Sequence, residues 1–399
     1  MSDFNSLRVP GLDLVRSAAI LCVLAGHYWP IYDRFPAAAP LKFLGVIGVE
    51  LFFVLSGFLI GGILLRQAFK LHEGNLGFSF RDCPSFWVRR WFRTLPNYLL
   101  FFILFLLFDQ PWVSGNWRPW FLSAFFLQNL FIDSSDGTFG IAWSLCVEEW
   151  LYLIMPLLLA VFSLRATRPG KPALFSALLL IVIPTLLRFG TKGNTWDIGV
   201  RHVVIYRLDA IAYGVLLAYA SRYRRGLFDR LASAPAALGG FAVLGLIWLQ
   251  WLAVGHHWIE PGHAGKGLTW IYTNVVFFSA VSLAIVPIVA WGSQIGELPP
   301  GFKTLVYRTS IYSYSMYLGH ELVFYYCSPA IYSGVSRVFG EFHGLTFIVA
   351  ALVLVAVYGF SAAIYHLWEA RMTRLREHYS PSRLSVSVTE SAPLVLPSA

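Results

Sequence analysis

The chain has 399 residues, 57% hydrophobic and only 13% charged, with a mean hydropathy of +0.63 and a net charge of +9. Soluble domains carry about 25% charged residues, so this composition excludes an ordinary globular protein and leaves no room for a sizeable soluble domain beside spans of roughly 20 residues. The basic excess does not point to nucleic acid, because it falls in short clusters between apolar runs, where the positive-inside rule puts it.

In chain order the apolar runs lie near 12–30, 44–65, 95–108, 141–163, 173–188, 203–220, 235–254, 271–291, 309–330 and 345–366. They predict an all-α polytopic integral membrane helical bundle of about ten transmembrane helices. Residues 1–370 form the membrane domain. Residues 371–399 are expected to be a cytoplasmic, disordered tail, since 380–399 is rich in Ser, Pro and Val. The first run contains Arg16 and His27, and Ala37-Ala38-Ala39 is followed by Pro40, so it reads as a retained helix rather than a cleaved signal. Segment 119–132 has 14 residues, short for a span, and reads as interfacial or re-entrant.

Charge supports that count. With the N-terminus cytoplasmic and 119–132 not crossing, the loops at 66–94, 164–172, 221–234 and 292–308 all fall inside. They hold Arg81, Arg89, Arg90 and Arg93; Arg165, Arg168 and Lys171; Arg222, Arg224, Arg225 and Arg230; and Lys303 and Arg308. The tail with Arg371, Arg374 and Arg376 is inside too, so both termini are cytoplasmic. Cys22, Cys83, Cys146 and Cys327 show neither metal nor disulfide spacing and read as small core residues. Loop 255–270 carries His256, His257, Glu260 and His263, but with Gly and Pro between them and no further spaced ligand it reads as a wet outer loop, and no metal is expected. No repeat, phosphate loop or nucleophile elbow is visible.

Ionisable groups inside spans are costly and mark function. Arg16 and His27 lie about 16 Å apart along one helix and within about 20° of the same face. The apolar stretch from Gly48 to Ile60 carries a carboxylate, Ser56 and Gly57. By depth, His27, Glu148 or Glu149, Arg207, Asp209 and His320 form an outer layer, and Arg16 with Arg89, Arg90 and Arg93 an inner one. Plainer roles stay open for several: topology signals for Arg89, Arg90 and Arg93, an ion pair between Arg207 and Asp209, a hydrogen-bonded core histidine for His320, and neutralisation of Arg16 by Asp13 one turn away.

At these residues the chain resembles the acyltransferase 3 family over roughly residues 8–370. The matching elements are Leu12-Asp13, Arg16, Ala19 and His27; Gly48, Val49, Phe52, Phe53, Ser56, Gly57 and Phe58; and Arg90 and Arg93 with Pro96 and Tyr98. Trp143, Ser144, Val147, Glu148, Glu149 and Tyr152 follow, then Arg207-Leu-Asp209-Ala and the run from Ser313 to His320. Cys146 and Trp150 stand where the family often has serine and glutamine. Some relatives carry an extra hydrolase-like domain; no such segment is read here, and a stand-alone member is the expectation. The resemblance implies a multi-pass O-acyltransferase of the bacterial inner (cytoplasmic) membrane, in contact with membrane lipids. It would move an acyl group, often acetyl, from cytoplasmic acyl-CoA to a hydroxyl of a cell-surface or exported carbohydrate or lipid-linked glycan. Acetyl-CoA or another acyl-CoA is then a donor substrate, and no tightly bound cofactor is implied. Arg16, Arg90 and Arg93 would hold CoA phosphates. His27 would be the general base with Glu148 or Glu149 as its partner, and Asp13, Ser56, Ser144, Arg207, Asp209 and His320 would support substrate or structure. The alternative is a transporter or flippase using the same charges as a proton or substrate path.

Overall fold

In a computed structural model the described residues are 8–70, 78–109, 115–134, 139–166, 168, 170–191, 194–253, 268–342 and 344–379. They contain no strand and ten helices of at least 16 residues. These are α1 (Pro10–His27), α2 (Lys42–Lys70), α3 (Cys83–Asp109), α4 (Trp143–Ser163), α5 (Lys171–Leu187), α6 (Leu208–Tyr223), α7 (Ala234–Ala253), α8 (Phe277–Gly292), α9 (Pro300–Leu322) and α10 (Leu345–Ile364). Each overlaps a predicted span. Eight are long and apolar enough to cross a membrane. The remaining two, α6 and α9, fall short in length and in apolarity respectively, and each buries much of its surface inside the bundle.

Helix α2 is the spine. It packs most extensively on α6 and α1, and its residues belong to both hydrophobic cores of the molecule. The contacts are backbone to backbone. A Cβ on Gly57 would sit 1.9 Å from the Ile211 carbonyl oxygen, and one on Gly48 would sit 2.6 Å from that of Ala19. Small residues are what allow membrane helices to approach this closely. The Gly48 to Ile60 stretch is therefore marked first by packing.

Two ion pairs brace α2 and α6 from within. Arg207 pairs with Glu50 of α2, whose other carboxylate oxygen accepts from Ser282 at 3.3 Å. Asp209 pairs with Arg188 at 2.8 Å, and both side chains are fully buried. The two guanidinium groups lie 4.0 and 5.7 Å from the Phe278 ring centroid. The open possibility of an Arg207–Asp209 pair is thus corrected: each takes a partner from another element. Residues 207 and 209 are too close in sequence to face each other on a helix.

Four helical stretches widen into π turns, at Asp197–Arg201, Ile271–Val276, Val323–Cys327 and Tyr365–Glu369. The segment predicted not to cross forms only the seven-residue helix Arg118–Ala124 and then irregular turns, with Phe121, Phe125, Phe131 and Ile132 exposed. Seven residues rise about 10 Å, far short of a bilayer core.

Three expectations need correction. Helix α3 begins at Cys83, not near 95, so Arg89, Arg90 and Arg93 ride on a helix rather than a loop; Ser79 and Asp82 form a capping box just before it. The tail is not wholly irregular, since Ala370–Tyr379 is helical and lies against α3; segment 380–399 is outside the described residues, as are the loop histidines His256, His257 and His263. Of the four free cysteines, Cys83 and Cys146 are buried but Cys327 is exposed.

Gly57→Val should force α2 and α6 apart at a backbone contact. Overpacking of this kind costs about 1–3 kcal/mol or more. It is expected to lower the melting temperature of the detergent-purified protein, followed by tryptophan fluorescence, and an unchanged melting curve would mean that α2 and α6 do not cross at Gly57.

Candidate active site

Helix α1 is unbroken, so Arg16 and His27 stand about 16 Å apart along it. At the His27 end the imidazole is half-buried, and its Nδ1 lies 2.9 Å from the Val23 carbonyl. A carbonyl only accepts, so Nδ1 carries the proton and Nε2 keeps the lone pair. His320, in the last turn of α9, repeats the pattern: Nδ1 is 2.7 Å from the Tyr317 carbonyl, and the fully buried Nε2 has no hydrogen-bond partner among the described residues. The two rings lie 5.2 Å apart.

The charged neighbours of His27 are Arg201, Asp197 and His202, on the turn before α6. Arg201 and Asp197 pair at 2.6 Å, and His202 donates from Nδ1 to the Asp133 carboxylate at 3.0 Å. Burial alone would raise the Asp197 carboxyl, but Arg201 and His202 hold it below the usual carboxylate range. Trp143 at the start of α4 stacks on His202 at 4.6 Å and lies 4.8 Å from the Arg201 guanidinium. Ser144 bonds Tyr317 at 2.6 Å, tying α4 to α9 beside His320.

Toward the start of α1, Asp13 gathers Arg8 at 2.7 Å, Arg16 at 3.3 Å and the Ser310 hydroxyl at 2.6 Å. Arg16 therefore is neutralised in part by Asp13, as the sequence allowed. It also feels the positive charges of Arg93, Arg8 and Arg90. Arg8, Arg16, Arg90 and Arg93 thus lie in one neighbourhood, with Asp13 beside Arg8 and Arg16, Glu148 and Glu149 beside Arg90, and Glu369 beside Arg93; guanidinium groups gathered in this way suit an anion. Arg93 is exposed at this cluster.

Arg90 extends the cluster toward mid-bundle. Its guanidinium lies 4.7 Å from the Tyr152 ring, and it donates to the Tyr152 hydroxyl at 3.3 Å. The same hydroxyl donates to Glu148 at 3.1 Å and bonds Ser56 at 2.6 Å. Glu149 is buried nearby, coupled to Thr94 and Arg90. The expected pairing of His27 with Glu148 or Glu149 is therefore corrected: the structure brings both glutamates to the arginines, and the imidazole is held by a backbone carbonyl. The cause is the early start of α3, which lifts Arg90 about 10 Å into the bundle to meet glutamates descending from the opposite end.

Arg207 and Asp209 are occupied by Glu50 and Arg188 and are not among the charges acting on His27. The residues that sequence reading passes over are Arg8, Arg188, Asp197 and Arg201. It marks Glu50 as a carboxylate within an apolar run but gives it no partner.

The family model for an acyltransferase domain, acyltransferase 3, matches residues 9–366. The putative peptidoglycan O-acetyltransferase YrhL of Bacillus subtilis is 34% identical over 192 residues, 43% of this chain and 27% of that protein. The peptidoglycan O-acetyltransferase OatA of Listeria monocytogenes is 33% identical over 217 residues, 48% of this chain and 32% of its own length. The O-acetyltransferase OatA of Staphylococcus aureus is 24% identical over 334 residues, 78% of this chain and 50% of its own. The chain thus matches half or less of the length of each of these relatives, and no solved structure matches it. With the family model running from residue 9 to residue 366 over the helices that carry both ends of the site, the chain belongs to the acyltransferase 3 family.

Proposed function

We propose that the protein is an integral-membrane O-acyltransferase that moves an acyl group, acetyl in the first instance, from cytoplasmic acyl-CoA to a hydroxyl of an exported or cell-surface carbohydrate. The observation that carries this reading is one helix with an arginine cluster at one end and an imidazole with an open Nε2 at the other. Membership of the family supports acyl transfer. The activities named for two relatives, peptidoglycan O-acetyltransferases, favour acetyl as the group and a glycan as the acceptor.

The phosphates of CoA would sit among Arg8, Arg16, Arg90 and Arg93, where guanidinium groups offer always-charged, forked contacts. The extended arm of CoA would carry the thioester along α1 toward His27. There the acceptor oxygen attacks the thioester carbonyl as its proton passes to His27 Nε2. The C–S bond then breaks and CoA leaves as the thiolate. The Val23 carbonyl on Nδ1 takes the place of the usual carboxylate: it fixes the tautomer and steadies the imidazolium. Glu148 and Glu149 act on the donor side in this scheme, setting Arg90 and Tyr152.

The cell membrane meant is the bacterial cytoplasmic one, with both termini and the arginine cluster inside. Single cysteines at Arg165, Asn194 and Gly226, placed in a cysteine-free background, test this with a membrane-impermeant thiol reagent. Only the Asn194 position is expected to label in intact cells; labelling at Gly226 and not at Asn194 would invert the orientation.

His27→Ala should lower transfer of labelled acetyl from acetyl-CoA by roughly 10²–10⁴-fold while the protein still reaches the membrane. Near-wild-type transfer by a well-expressed variant would remove His27 from the chemistry. Arg93→Ala should raise the KM for acyl-CoA about tenfold or more, the scale of a lost charged hydrogen bond, and Lys should rescue only in part because it lacks the fork. An unchanged acyl-CoA dependence would return Arg93 to a topological role.

A further inference from the structure

A concave feature lies at the His27 end, outside the residues used above. It is a cleft of about 270 Å³ lined by Tyr28, Arg34, Ser328, Tyr332, Thr346 and Val349 among others. Three elements meet there: the short helix Trp29–Arg34 that follows α1, the helix Ser328–Phe339 that follows α9, and the first turn of α10.

The cleft is joined to the imidazole pair by a chain of rings. Tyr28 meets Phe324 edge-on at 5.1 Å, Phe324 meets His320 at 5.4 Å, and His320 lies 5.2 Å from His27. Tyr28 is also the residue after His27, so the backbone that carries the proposed base carries one wall of the cleft. The polar groups are of both kinds. Arg34 can only donate. Tyr332 holds the Glu341 carboxylate at 2.7 Å, which can only accept. The Ser328 hydroxyl, 3.3 Å from that of Tyr28, and the Thr346 hydroxyl can do either. Aromatic walls with a few donors and acceptors around them fit a ring that is apolar on its faces and hydroxylated at its edge.

We propose that this cleft is the acceptor subsite, and that it seats one glycosyl ring of the carbohydrate whose neighbouring hydroxyl is presented to His27. The proposal rests on the acyltransferase reading for its purpose but not for its test. The exposed apolar residues Val338 and Phe339 at the end of the helix Ser328–Phe339 place the cleft beside an apolar surface at the rim of the bundle. That position suits a glycan held close to the membrane more than one in bulk water.

The test is sugar binding to the purified full-length protein in nanodiscs, read by saturation-transfer NMR. The probes are a β-1,4-linked N-acetylglucosamine trimer, a β-1,4-linked glucose trimer and an α-1,4-linked glucose trimer. At least one is expected to bind the wild type. Tyr332→Ala and Arg34→Gln should each weaken it about tenfold, near 1.4 kcal/mol, while Tyr332→Phe keeps most of the binding because it keeps the ring. Arg34 is exposed, so that variant folds without loss of core contacts. None of the three trimers binding, or binding untouched by both Tyr332→Ala and Arg34→Gln, would overturn the proposal. So would native mass spectrometry showing a phospholipid that the wild type retains and Tyr332→Ala releases, which would make the cleft a lipid seat. Sugar binding by a protein that transfers no acetyl would leave the subsite standing and sink the chemistry. Acetyl transfer whose acceptor KM ignores both variants would do the reverse.

Discussion

Helix α2 cannot move relative to α1 or α6 without a collision of backbones, and the rest of the molecule is arranged around that constraint. Gly48 and Gly57 let the three helices close to a distance at which main-chain atoms touch. In lipid, where burial of apolar surface gives no net drive between helices, such close packing is a principal source of association. It also fixes depth. Once α1 is seated on α2, the heights of Arg16 and His27 are set against Ser56, and through Ser56 against Tyr152, Glu148 and Arg90.

The same wedge accounts for the amount of charge tolerated inside. Arg188, Arg207, Glu50 and Asp209 are all buried, yet each has an opposite partner. Removing one member of a buried pair costs about 3–5 kcal/mol, because the survivor is left uncompensated. These pairs are therefore braces between α2, α5 and α6. The arginines around Arg16 differ in kind: Arg8 and Arg16 share one carboxylate, Asp13, and Arg90 reaches Glu148 through the Tyr152 hydroxyl, so they form a cluster rather than closed pairs. The closed pairs near α6 and the arginine cluster near α1 are thus two separate arrangements of charge within one bundle.

The helices are legible in the sequence because an apolar run of membrane length is rarely anything but a span. Segment 119–132 is legible as a non-span from its length and the charge pattern. Arg16 and His27 are legible as a pair because both lie on one uninterrupted helix, where spacing translates directly into depth. The joining of different helices is not legible in this way. The start of α3 is hidden because its first turns are basic and aromatic rather than apolar, and Pro96 suggests a boundary although the helix runs through it. Treating those turns as a loop moves Arg90 out of the bundle and leaves Glu148 and Glu149 grouped by depth with His27 and Arg207 instead. Arg188 is hidden at the end of an apolar run, where an arginine ordinarily reaches toward the headgroups. Its true partner, Asp209, is fixed by how α5 and α6 pack, which no spacing within one helix encodes.

The π turns carry a consequence of their own. At Asp197–Arg201 the backbone bonds run five residues back, from Arg201 to Trp196 and from His202 to Asp197. Such a turn is an α-helical turn with one residue inserted, and it rotates everything beyond it by about 100°. At Val323–Cys327 the insertion lies just past His320 and just before Ser328 and Tyr332. One surplus residue there decides which face of the next helix looks back toward the imidazoles. Two proteins of this architecture that differ by a single deletion in that turn would share every helix and the same histidines, and still present different side chains to whatever docks beside them.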